Sequence, residues 1–158
     1  MSANLMMSDV SEGGELPILE KEVKPVTVVL GAMASRDWRP QHHDYKFATE
    51  RNGLEDIIMN TPNLAAWFER YITDWTGPKG RLGRMKFGMK DSIFPNDTMI
   101  IRGTVTGVET DDQGCAWASV DVKINVEDRL CTSCEARVAL PTDESDNPWN
   151  RRGDAWKP

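Results

Sequence analysis

Long apolar runs are missing from this chain of 158 residues, and none approaches the about 20 residues that a membrane-spanning helix needs. A surplus of basic charge is missing too: 19 Lys and Arg face 25 Asp and Glu, for a formal net charge of −6. Nucleic acid and anionic membrane surfaces both ask for a basic face, so neither is expected as a partner. Cysteine is scarce. Three residues in a chain of this size do not make a disulfide framework, which points to a reducing, intracellular setting and a cytoplasmic location. The opening "MSANLMMSDVSEGGE" lacks the basic and apolar regions of a secretory signal. No Gly-x-Ser-x-Gly elbow is present for a serine hydrolase. The stretch "GPKGRLG" lacks the Gly-Lys-Ser/Thr ending and the preceding apolar strand of a phosphate loop, which sets nucleotide hydrolysis aside.

What is there fits one soluble domain. Residues 1–16 are rich in Met, Ser, Gly and Glu without periodicity and read as a flexible arm. Residues 17–140 carry the patterned body. Residues 141–158 form a tail poor in aliphatic side chains, with Trp149 and Trp156 available to pack on the body or a partner. The β-branched run "PVTVVLGAM" (25–33) reads as a strand. "DYKFATE" reads as a short helix capped by Asp44. The clearest helix begins at Thr61, taken as N-cap, with Pro62 as its first residue. Leu64, Ala65, Trp67, Phe68, Tyr71, Ile72 and Trp75 then follow at helical spacing up to Gly77-Pro78. Only Glu69, Arg70, Thr73 and Asp74 interrupt its apolar girth, so other elements must enclose it. Beyond it "RLGRMKFGM" and "DTMIIRGTVTGV" are strand-like, and "ETDDQG" is a turn. Residues 118–126 alternate apolar and polar, and Cys134, Ala136, Val138 and Leu140 continue an inward face after the "EDRL" turn. One enclosed helix followed by antiparallel strands predicts an α+β fold, with the sheet wrapped round the helix.

Chemistry concentrates in "RDWRPQHHDY" (36–45), which holds both histidines of the chain between Asp37 and Asp44. Five residues of loop can curl so that Asp37 and His42 face one small volume. Such a pair can hold a water, remove one proton and supply another; the same pair can equally serve as a hydrogen-bonded loop clasp. Cys131-x-x-Cys134 has zinc-knuckle spacing, but no second ligand pair accompanies it. On an extended strand residues three apart face opposite ways, so one of the two is expected to be buried and Cys131→Ser to leave activity unchanged. Lys79, Arg81, Arg84 and Lys86 form a basic cluster in an acidic chain. It reads either as a charge-defended edge strand or as a landing site for an anionic ligand such as a phosphorylated carrier.

Asp37, four residues, then His42-His43-Asp44, placed ahead of an enclosed helix, resembles the hydratase-2 motif of the MaoC-like enoyl-CoA hydratases. "SRDWRPQHHD", "NTPNLAAWFERYITDWTGP" and the strands that follow, roughly residues 25–140, are similar to the small MaoC-like subunits of actinobacterial steroid side-chain hydratases. The resemblance implies a hot-dog fold, a coenzyme A thioester substrate and hydration of a 2-enoyl double bond by Asp37 and His42. It also implies no metal or redox cofactor, and assembly as a homodimer or as a heteromer with a second MaoC-like subunit. Many relatives have His-Gly at the entrance to the central helix; here Met59-Asn60 stand there. Asn60 and Thr61 at that entrance, with Lys79 and Arg81, are the expected substrate-binding residues. Two other readings stay beside this one: an (R)-specific enoyl-CoA hydratase of general fatty acid metabolism, and a non-catalytic subunit that completes a partner's site.

Overall fold

A computed structural model describes residues 5–158; the first four residues of the expected arm lie outside that range. Seven principal elements follow in order: β1 (Leu19–Glu22), α1 (Pro25–Ala34), α2 (Thr61–Thr76), β2 (Arg81–Met89), β3 (Thr98–Thr110), β4 (Ala116–Val126) and β5 (Arg129–Leu140). The strands make one antiparallel sheet in the order β1-β3-β4-β5-β2. Its inner face closes on α2, as the pattern predicts, in the hot-dog arrangement that the resemblance implies. Leu64, Phe68, Tyr71 and Ile72 of α2 are buried against Val105, Val120, Val122, Ile124 and Val138 of the sheet. Their outward neighbours Asp121, Lys123 and Glu135 stay in solvent, so the period of two read from residues 118–126 is the pleat of β4.

The stretch 25–33, expected as a strand, is helix α1. Pro25 sits in its first turn, where a missing N–H is no loss. Val28 and Ala32, four residues apart, are the side chains it buries. A short β-branched run carries no decisive period, and packing overrides its modest strand preference. Gly31 allows the close approach that packing needs, because a Cβ there would overlap the Asn63 side chain. The Asn63 amide donates to the Thr27 carbonyl at 3.1 Å and locks α1 to the start of α2. The cap of α2 is also one residue earlier than expected. Asn60 is the N-cap and its Oδ1 accepts from the Asn63 N–H at 3.3 Å. Asp44 does cap its turn, accepting from the Phe47 N–H at 3.1 Å, and the turn widens to π spacing over Phe47–Arg51.

Cys131 and Cys134 are both buried in the same core, against the expectation of one. Thr132 pairs with Ile124 while Leu130 pairs with Asn125, leaving Cys131 as an extra, bulged residue. A bulge breaks the alternation, so residues three apart can share a face. Burial pushes the thiols of Cys115 and Cys131 up and that of Cys134 up to about 12. Thiols held protonated and out of solvent are poor nucleophiles. A maleimide or disulfide reagent is therefore expected to leave the folded protein unlabelled and to label all three free cysteines in denaturant; rapid labelling of the native chain would contradict this burial.

Both flanking segments have partners on the body. Gly13 and Leu16 donate backbone bonds to Val105 and Gly103 of β3, and Met7 donates to Pro141 at the start of the tail. The tail folds back over the outer face of the sheet. There Trp156 packs on Trp117 at 4.9 Å between ring centroids, the rings tilted by 40°, with the Arg81 guanidinium 3.5 Å over the Trp156 ring. Among the described residues no helix is long and apolar enough to cross a membrane.

Candidate active site

The site begins where α1 stops. Arg36 takes a left-handed conformation with φ 57°, and the Arg36 and Asp37 N–H groups donate back to the carbonyls of Met33 and Ala32. This two-bond terminus turns the chain sharply and places Asp37 directly after it. Pro40–His42 then make a single tight turn, three residues per turn, which swings successive side chains apart by roughly 120°. His42 therefore enters the interior with 4% of its surface exposed, while His43 stands in solvent, its Nε2 facing the Trp38 carbonyl at 3.4 Å.

The strand-like lead into α2 fixes the buried ring. Ile58 donates its N–H to the Gln41 carbonyl, and its own carbonyl lies 2.7 Å from His42 Nδ1. A carbonyl only accepts, so Nδ1 carries the proton, and in the neutral ring Nε2 is left as the acceptor. That Nε2 lies 3.4 Å from Asp37 Oδ2. Two acceptors at this distance, a carboxylate oxygen and an imidazole lone pair, are the two sites that one water can address with its two protons.

Partial burial pushes the Asp37 carboxyl up. The Asn60 amide, the Arg39 N–H, the charge of Arg39 and, whenever its ring is protonated, that of His42 together outweigh it and hold the group below the usual carboxylate value. Asp37 is thus ionised at neutral pH, as a water-binding base must be. Asn60 Nδ2 reaches Asp37 Oδ2 at 3.2 Å and Ser35 Oγ at 2.8 Å. Next to them Thr61, the first residue of α2, presents an N–H that has no partner among the described residues. Such first-turn donors sit at the positive end of the helix dipole.

The structure brings Asp37, His42, Asn60 and Thr61 together and leaves Lys79 and Arg81 elsewhere. Thr61 Oγ1 touches Met89 at the end of β2. Arg81 begins that strand, eight residues away, or about 26 Å along it. Lys79 and Arg81 are engaged by the tail: Lys79 donates to the Glu144 carbonyl, and Arg81 to those of Pro148 and Arg151. Ser35 and the Ile58 carbonyl belong to the site without any sequence signal. Asn60 had one, since Asn is among the favoured N-cap residues.

No protein-family model matches the chain. Over 96 residues it is 32% identical to the 3-oxo-4,17-pregnadiene-20-carboxyl-CoA hydratase beta subunit of Mycobacterium tuberculosis, covering 61% of this chain and 74% of that protein. A chain of the ChsH1–ChsH2 complex from Mycobacterium tuberculosis superposes with a TM-score of 0.75 at 25% identity, over 82% of this chain and 98% of that one. The (R)-hydratase from A. caviae involved in PHA biosynthesis gives a TM-score of 0.74 at 24% identity, over 84% and 98%. A MaoC-like dehydratase from Rhodospirillum rubrum gives 0.75 at 15% identity, over 87% and 97%. At those last two identities the likeness concerns the hot-dog fold alone. The chain belongs to the MaoC-like enoyl-CoA hydratase family.

Proposed function

We propose that this chain is the catalytic small subunit of a heteromeric hydratase, adding water to a 2-enoyl-CoA thioester with a bulky steroid side chain. The observation that carries the reading is the Asp37–His42 pair, 3.4 Å apart, beside the Thr61 N–H, which has no partner among the described residues. A water donating one proton to each of Asp37 Oδ2 and His42 Nε2 keeps a lone pair for the β-carbon. As its oxygen bonds that carbon, the π electrons move onto the thioester oxygen. The Thr61 N–H and the helix dipole stabilise this enolate. The water loses one proton to the pair, and the pair returns one to the α-carbon, giving the 3-hydroxyacyl-CoA. Asp37 and His42 line the same side of the substrate, so H and OH arrive on one face.

The identity with a steroid-acyl hydratase beta subunit supports the substrate class, and the likeness to a chain of the ChsH1–ChsH2 complex supports a heteromer with a second MaoC-like subunit. The sheet supports assembly as well, since β1 and β2 leave open edges. In this reading residues 17–140 are the catalytic domain and the two flanking segments its appendages, all acting in the cytoplasm with no metal or redox cofactor.

The test is hydration by the purified chain, alone and with its co-expressed partner, of a steroid side-chain enoyl-CoA and of a short-chain enoyl-CoA. Faster turnover of the steroid thioester is expected. Preference for the short chain would shift the assignment to an (R)-specific hydratase of fatty acid metabolism. Full activity of the partner without this chain would make it a structural subunit.

A further inference from the structure

The hydratase reading assigns duties to Asp37, His42 and the Thr61 N–H but leaves unexplained a buried amide that touches two of these parts. Asn60 is 1% exposed. Its Oδ1 accepts from the Asn63 N–H, while its Nδ2 donates to both Ser35 Oγ and Asp37 Oδ2. Three independent constraints set that orientation. The Asn63 N–H can only donate, so Oδ1 must face it. The Asp37 carboxylate can only accept, so Nδ2 must face it. The Ser35 hydroxyl spends its one proton on the carbonyl of Gly31 at 2.8 Å or of Ala32 at 3.1 Å, so it too offers Asn60 a lone pair. Both N–H donors and the oxygen of the amide are engaged, and a flipped amide would satisfy none of the three.

We propose that Asn60, oriented by Ser35, is a positioning residue that ties the Asp37 carboxylate to the first turn of α2. The proposal rests on the hydratase reading for its consequence. One rigid amide then couples the water-activating carboxylate to the Thr61 N–H that receives the enolate, so the two ends of the reacting enoyl group meet groups held in one frame. Asn60 need not touch substrate to do this; it acts through Asp37 and through the helix cap. The C-terminus of α1 enters the arrangement through Ser35, which explains why the turn at Arg36 must be sharp. Misplacement of a reacting group by about 1 Å costs on the order of 10²-fold in rate, so a tether of this kind carries catalytic weight without chemistry of its own.

Asn60→Ser separates this role from capping, because serine is about as good an N-cap as asparagine but has no second donor for Asp37. The charged groups facing Asp37 are His42 and Arg39 of its own loop, while α1 and α2 contribute the neutral Ser35 and Asn60. Losing the amide donor therefore raises the Asp37 pKa, and a reaction that needs the ionised carboxylate loses its acid limb at higher pH. For Asn60→Ser we expect kcat to fall about 10-fold to 10²-fold, KM to change little, and the acid limb of the rate to move up. Ser35→Ala, which removes one of the three constraints on the amide, should move the same quantities in the same direction by less.

A readout without turnover is the ¹³C titration of the Asp37 carboxyl, assigned by its loss in Asp37→Asn. An upward shift in both variants supports the tether. An unchanged Asp37 titration and unchanged kcat in folded Asn60→Ser would reduce Asn60 to a helix cap and overturn the proposal. An unchanged Ser35→Ala would do the same for the orienting role of Ser35. If the wild-type chain with its partner hydrates no enoyl-CoA, the function falls while the carboxyl titration still decides the tether.

Discussion

Asp37→Asn and His42→Ala are each expected to lower the rate of enoyl-CoA hydration about 10²-fold or more, the scale of acid–base catalysis, while His43→Ala stays within a few fold of wild type. The contrast between neighbouring histidines follows from the turn that carries them. His42 is buried, with Nδ1 committed to the Ile58 carbonyl and Nε2 turned to Asp37. His43 is in solvent, and the one polar contact of its ring among the described residues is a 3.4 Å approach to a backbone carbonyl. Asp37→Asn is nearly isosteric yet replaces an acceptor-only carboxylate with an amide that cannot take a proton from water. Its effect should fall on kcat, with the variant still folded because the change lies at a loop. The three purified variants should be assayed together, in complex with the partner if one is required. A dead His43→Ala beside a normal His42→Ala would assign the chemistry to the wrong ring. Activity in all three would reduce the pair to a loop clasp and remove catalysis from this chain.

Thr61→Pro should be comparably damaging, at about 10²- to 10³-fold in kcat, the usual loss for one oxyanion donor. The substitution suits the question because it removes an N–H and little else. Proline is favoured at the first position of a helix, and Asn60 already holds the extended backbone, φ −84° and ψ 159°, that a residue before proline prefers. Secondary structure and melting temperature should therefore be close to wild type, the loss of the Thr61 contact to Met89 being minor. Normal turnover in the folded variant would place the thioester oxygen on another donor. Against Asn60→Ser the two results also part company: Thr61→Pro should leave the acid limb where it is, since the Asp37 contacts are untouched.

The legible parts of this protein were those whose signal repeats. Helix α2 announced itself through seven apolar residues at helical spacing, and β4 through strict alternation from Ala118 to Val126. Burial of these elements is imposed by their own periodicity, whatever they pack on. Where the signal was short, tertiary contacts decided. Residues 25–33 became a helix because Val28 and Ala32 find a core and Gly31 admits Asn63. Cys131 turned inward because β5 gains a residue against β4.

The Asp37–His42 pair stands between these cases. Asp37 and His42 lie five residues apart, so their spacing and resemblance to a known motif could be read directly. Lys79 and Arg81 looked equally available as charges, but the tail engages both at the far end of β2. Linear sequence carries no information on what folds back over a side chain.

By itself, then, the sequence determined the enclosed helix, the antiparallel strands and the closeness of Asp37 to His42, because each is encoded within a few consecutive turns or pleats. The tertiary structure alone decided how Ser35, Asp37, His42, Ile58 and Asn60 meet. They come from the end of one helix, a loop and the entrance to another, and only the packing of α1 on α2 closes those intervals to hydrogen-bond distance.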